Sequence, residues 1–98
     1  MQKVLLSPSQ IKDFCQQHPI SKLSFFGSMV RDDYGPESDI DILVEFEPGH
    51  TPGLDFFSIE MELAKLLGRK VDLQTAKILS PEIRQTVLAE AVVAYEQA

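Results

Sequence analysis

Residues 39–46 read Asp39-Ile40-Asp41-Ile42-Leu43-Val44-Glu45-Phe46. Side chains on a strand alternate faces, so this run predicts a β-strand with Ile40, Ile42, Val44 and Phe46 on one side. Asp39, Asp41, Leu43 and Glu45 fall on the other. Aspartate is disfavoured in strands, and Asp39 and Asp41 project from the same face with Cα atoms only ~6–7 Å apart. At roughly 6 Å and an effective dielectric near 20, two such carboxylates repel by about 2–3 kcal/mol. Two arrangements offset that cost. Water screens the pair if it lies on a solvent-facing strand end, or a divalent cation is held between the carboxylates.

The flanking sequence supplies partners for this strand. Ser7-Pro8-Ser9-Gln10 has the composition of a capping box, with proline at the first helical position. Ile11, Phe14, Cys15 and His18 then fall on one helix face, and Pro19 ends the helix. Lys22-Leu23-Ser24-Phe25-Phe26 predicts a short strand, broken by Gly27-Ser28. Glu47-Pro48-Gly49-His50-Thr51-Pro52-Gly53 predicts a long loop, because its prolines and glycines interrupt any regular element. Residues 54–67 predict a helix with Phe56, Ile59, Leu63, Leu66 and Leu67 inward, and Gly68 is placed to terminate it. Lys70-Val71-Asp72-Leu73-Gln74 predicts a third strand. Ser80-Pro81-Glu82 starts a last helix with Ile83, Val87, Ala91, Val92 and Tyr95 as its stripe. The expected fold class is α/β: a single domain over residues 1–98, with a small mixed β-sheet of at least three strands flanked by helices. The 54–67 helix is long enough to make a parallel crossover between the strands on either side of it.

Composition limits the function. Nine Lys and Arg against 15 Asp and Glu give a net charge of −6. Autonomous nucleic-acid binding rests on cations that neutralise phosphates, so this balance argues against it. No apolar run approaches the ~18–20 residues of a membrane helix, and the apolar patch at residues 1–6 is too short for a secretory signal. One cysteine, Cys15, permits no internal disulfide and no cysteine metal knuckle, which fits a reducing cytoplasm.

Three features converge on one chemistry. Gly27-Ser28 follows a strand directly, where glycine permits close backbone approach and serine offers a hydroxyl and an N–H to a phosphate. Asp39 and Asp41 share a strand face. Asp72 sits mid-strand with apolar neighbours facing the opposite way, so it joins the same face if the two strands are adjacent. Three carboxylates make a hard oxygen site suited to Mg²⁺ rather than zinc. Taken singly, each feature has an ordinary reading: a turn, a solvated strand end, an exposed edge strand.

Gly27-Ser28, ten intervening residues, Asp39-Ile40-Asp41 and a later in-strand Asp72 together resemble the nucleotidyltransferase superfamily of DNA polymerase beta. Within it, the chain looks most like the minimal nucleotidyltransferases. Phe26-Gly27-Ser28-Met29-Val30-Arg31, residues 38–46 and Gly68-Arg69-Lys70-Val71-Asp72-Leu73 carry the resemblance. Asp32 stands where members often have glycine after the arginine. The resemblance implies a polymerase beta-like fold and a Mg²⁺-dependent transfer from ATP. It places two metal ions on Asp39, Asp41 and Asp72, the last completing the site of the ion that activates the acceptor hydroxyl or accepting its proton. It gives the β- and γ-phosphates to Gly27 and Ser28, and to Arg31 either a phosphate contact or a salt bridge to Asp32, Asp33 or Glu37.

The residues after Glu82 predict one helix and no acceptor-binding domain, so the acceptor is expected on a partner. Minimal nucleotidyltransferases typically pair with a HEPN-family toxin of RNase type. The resemblance therefore implies an antitoxin that moves AMP from ATP to a tyrosine of the toxin. Two other readings remain open: a module that neutralises its partner by contact alone, and a small-molecule nucleotidyltransferase. His18 is expected to pack at a helix rim and His50 to be solvated in the loop. Cys15 is expected in the core, Tyr95 in helix packing, and Arg69-Lys70 in a solvated turn.

Overall fold

The computed structural model of the chain describes residues 7–31, 35, 38–50 and 52–97, with Met29 and Arg31 described by their backbone alone. The apolar patch at residues 1–6, the Arg31 side chain, and Asp32, Asp33 and Glu37 lie outside the described atoms. The elements in chain order are α1 (Pro8–Gln17), β1 (Ile20–Phe26), α2 (Ser28–Arg31), β2 (Ile40–Phe46), α3 (Asp55–Leu67), β3 (Val71–Gln74), α4 (Pro81–Glu90) and β4 (Val92–Glu96). The four strands form one mixed sheet in the order β3-β2-β1-β4. β1 runs antiparallel to both β2 and β4, while β2 and β3 are parallel, joined by the α3 crossover.

Local chemistry sets the helix ends. Ser7 Oγ accepts the Gln10 N–H at 3.2 Å and Gln10 Oε1 accepts the Ser7 N–H at 2.9 Å, a reciprocal capping box that satisfies two donors left free by the first turn. Gly68 closes α3 in the left-handed conformation at φ 68°, which an L side chain adopts only with strain.

The sheet separates two cores. Ile40, Ile42 and Val44 of β2, Val71 and Leu73 of β3, and Leu23 and Phe25 of β1 meet Ile11, Phe14 and Cys15 of α1 and Ile59, Leu63 and Leu67 of α3. On the other face, Phe26 and Leu43 pack against Val87 of α4, with Leu79 and Ala91 at the margin. Cys15 is fully buried, and burial pushes its thiol pKa up to about 12.

Three expectations need correction. The stripe from Ile83 to Tyr95 predicts one helix, but α4 stops at Glu90, Ala91 is extended (ψ 137°), and Val92–Glu96 is a strand beside β1. No Gly or Pro marks this break. Val92, Val93 and Tyr95 suit a pleated surface, and the open edge of β1 supplies the hydrogen-bond partners that tip the balance. Ile83, expected inward, is exposed, and so is Leu66 of α3. Tyr95 packs against the core from β4 rather than from a helix. No helix among the described residues is long and apolar enough to cross a membrane.

Candidate active site

The candidate site lies on the α4 side of the sheet, where β1 ends and β2 and β3 begin. Asp41 of β2 and Asp72 of β3 are direct register partners across the parallel pair. Their strand neighbours Ile40, Ile42, Val71 and Leu73 fill the opposite core, so both carboxylates project from the α4 face. Asp39, just before β2, falls on the same face by alternation, and its Oδ2 lies 3.9 Å from Lys70 Nζ. Gln74 donates its side-chain amide to Asp72 Oδ1 at 2.8 Å, fixing one oxygen of that carboxylate.

Gly27 lies beside Asp41, because Phe26 at the end of β1 is the register partner of Asp41. Gly27 has φ +75°, and a Cβ added to it would overlap Asp41 Oδ2. Two independent reasons thus require glycine: the left-handed backbone and the carboxylate packed on its Cα. The Gly27 N–H donates to Glu90 Oε1 at 3.0 Å, so a carboxylate from the end of α4 already holds that donor. Ser28 follows as the first residue of the single-turn α2, half-buried at the rim.

Gly35 and Ser38 are tied down from the β3 side. Arg69 Nη2 donates to the carbonyls of Gly35 at 3.0 Å and Ser38 at 2.7 Å, and the Ile40 N–H donates to the Lys70 carbonyl at 2.9 Å. The expectation of a solvated turn therefore holds for Lys70, whose side chain is 82% exposed, but not for Arg69. Arg69 fixes the approach to Asp39. A basic residue just before the third strand is the only sequence signal for it, and its partners are more than thirty positions away. Glu90 was equally hidden, as a polar residue at the end of a helix.

The donor chemistry of Asp39, Asp41 and Asp72 fits a hard divalent cation. Their side chains do not close on one point: among the described residues, no three His, Cys, Asp or Glu side chains converge tightly enough to hold an ion. Asp39 lies near Lys70, and Asp72 accepts from Gln74 at one of its two oxygens.

The other candidates lie elsewhere. His18 and His50, distant in sequence, line one hollow of about 310 Å³ with Phe46, Pro52 and Asp55, on the α3 side. His18 Nε2 is 2.7 Å from Glu62 Oε2, close enough for an ion pair but outside hydrogen-bond geometry. This hollow contains none of the three aspartates, and the triad of carboxylates with Gly27 remains the arrangement with reactive chemistry.

Known proteins share this architecture. The family model for the nucleotidyltransferase domain matches residues 8–94. A candidate protein adenylyltransferase of Methanocaldococcus jannaschii is 40% identical over 76 residues, 78% of this chain and 81% of the relative. The protein adenylyltransferase MntA of Thermococcus cleftensis is 39% identical over 82 residues, covering 83% and 81% respectively. Among solved structures, a candidate minimal nucleotidyltransferase superimposes with TM-score 0.73 at 35% identity, over 87% of this chain and 86% of that one. A toxin–antitoxin complex with AMP-PNP gives TM-score 0.77 at 21% identity, over 94% and 75%. A tri-AMPylated HEPN toxin of Shewanella oneidensis in complex with an MNT antitoxin gives 0.68 at 20% identity, over 92% and 70%. The last two likenesses speak for the fold. With the family model spanning nearly all of the described chain, and relatives near 40% identical matching over most of their length, this chain belongs to the nucleotidyltransferase domain family.

Proposed function

We propose that this chain is the antitoxin of a toxin–antitoxin pair and a Mg²⁺-dependent protein adenylyltransferase that transfers AMP from ATP to a tyrosine of a HEPN-type toxin, in the reducing cytoplasm. The observation that carries this reading is the pairing of Asp41 with Asp72 across β2 and β3, with the Asp41 carboxylate seated on Gly27 of the Gly27–Ser28 turn. The protein adenylyltransferase relatives and the AMPylated toxin in a neighbouring complex supply the acceptor class.

In this reading Ser28 presents its hydroxyl and N–H to the triphosphate, and Gly27 contributes by having no side chain. Arg31 neutralises phosphate charge from α2. Asp39, Asp41 and Asp72 would hold magnesium, which supplies positive charge against the triphosphate and the departing pyrophosphate. The tyrosine oxygen bonds to the α-phosphorus as the bond to the pyrophosphate oxygen breaks. Asp72 either completes the metal site, the hydroxyl proton then leaving to water, or takes that proton itself on the oxygen that Gln74 does not bond. The chain brings nucleotide and acceptor into line, and the partner carries the acceptor.

A second reading is neutralisation by contact alone, and the observation in its favour is Asp32, an aspartate where members of the family often have glycine. The two part on nucleotide binding. Mg²⁺ and ATP together should raise the melting temperature, since a ligand that binds only the native state stabilises it. Asp39→Asn should abolish that shift, and fragment mass spectrometry of the toxin should locate AMP on tyrosine. No shift and no added mass would leave the contact-only reading.

A further inference from the structure

Gly27 sits between two neighbours of β1, and each sends it a carboxylate. On the β2 side this is Asp41, packed on the Gly27 Cα. On the β4 side the register pairs Phe25 with Val92 and Ser24 with Val93. Continuing that register two residues past Phe25 sets Gly27 opposite Glu90, the last residue of α4. There Glu90 Oε1 accepts the Gly27 N–H at 3.0 Å. Gly27 is buried, so without an acceptor this N–H would be orphaned. The bond also means that the Gly27 N–H is not a donor to a phosphate. Its role is to fix the peptide plane that leads into Ser28.

We propose that Glu90 is a positioning residue of the nucleotide site: by holding the Gly27 N–H, it sets the tilt of the Gly27–Ser28 turn against Asp41 and thereby nucleotide affinity. This rests on the nucleotidyltransferase reading above. The contact works through hydrogen-bond acceptance at one oxygen. Acceptance of this N–H needs an oxygen lone pair rather than a net charge. Side-chain length matters, because aspartate is one methylene shorter and cannot reach from the same backbone position.

These statements fix an order of affinities. Calorimetry of Mg·ATP binding should be run on wild type, Glu90→Ala, Glu90→Asp and Glu90→Gln, with metal-free thermal melts alongside. Glu90→Ala and Glu90→Asp should weaken binding about tenfold, the scale of one lost hydrogen bond to a charged acceptor. Glu90→Gln, which keeps an acceptor oxygen at the same reach, should stay within about twofold of wild-type affinity. Should Glu90→Ala fail to fold, the Asp and Gln pair carries the same comparison. Affinities for Asp and Ala within twofold of wild type would overturn the proposal. So would a Gln variant as weak as Ala, which would assign the effect to charge. Absence of binding by wild type would instead remove the nucleotide reading on which the proposal stands, and the proposal with it.

Discussion

Gly27→Ala tests the close approach of Asp41 to the turn. Two costs are built into this substitution. At φ +75° an L residue occupies the left-handed region, for about 1–2 kcal/mol. The new methyl would also overlap Asp41 Oδ2 and lie 3.0 Å from Cγ and 3.2 Å from Cβ, so the carboxylate must rotate away. An off-rotamer aspartate adds roughly 1 kcal/mol, for a total near 2–3 kcal/mol. Gly49 provides the control: its φ is +81°, and nothing lies within 4 Å of a Cβ built there. Gly49→Ala should cost the backbone strain alone. Urea unfolding of both variants, each repeated in an Asp41→Ala background, separates the two costs. Removing the carboxylate should bring Gly27→Ala most of the way toward the Gly49→Ala value, the 3.2 Å approach to the Cβ of residue 41 remaining. Mg·ATP binding should be lost in Gly27→Ala and retained in Gly49→Ala. Equal destabilisation by both glycine variants with Asp41 present, or an excess that Asp41→Ala does not diminish, would show that the Asp41 carboxylate is not packed on Gly27.

Two further outcomes follow from single contacts. Glu60 Oε2 accepts the Leu73 N–H at 2.8 Å, so Glu60→Ala should lower stability by about 1–2 kcal/mol while Glu60→Gln costs a few tenths, read from denaturant midpoints; equal losses would deny the bond. The Cys15 thiol, raised to about 12 from an ordinary 9.0, is protonated in folded and unfolded chains alike below pH 9. Above that the unfolded chain sheds the proton and the native one does not, so stability falls with rising pH between 9 and 12. Cys15→Ala should flatten that decline in pH-dependent melts, and an unchanged slope would show that burial does not raise the thiol.

What the sequence reveals depends on how far apart the interacting groups lie. β2 is legible because alternation encodes both its conformation and its two faces in consecutive letters. The capping box and Gly68 are legible because each acts within four residues. The shared face of Asp41 and Asp72 follows once β2 and β3 are taken as neighbours, since each aspartate is flanked by apolar residues that must point into the core. β4 is not legible, because the residues after Val87 keep a helical stripe and only pairing with β1 turns them into a strand. Glu90 and Arg69 are hidden for the same reason. Each is an ordinary polar residue at the end of an element, and its role appears only when strand register brings it to a partner 63 or more than 30 positions away. The same long-range register that defeats local reading is what assembles the site.

If the carboxylates facing Gly27–Ser28 drive AMP transfer to a protein partner, that transfer must appear as added mass on the partner. The most direct measurement is the intact mass of the HEPN-type toxin after incubation with ATP, Mg²⁺ and either wild type or the Asp41→Asn/Asp72→Asn double variant. The double variant keeps side-chain shape and removes clustered like charge, so it should fold, with circular dichroism as the check. Wild type should add one or more AMP units to the toxin; the double variant should bind the toxin and add none. Toxin of unchanged mass after incubation with wild type, or equal modification by both proteins, would show that these carboxylates do not drive the transfer.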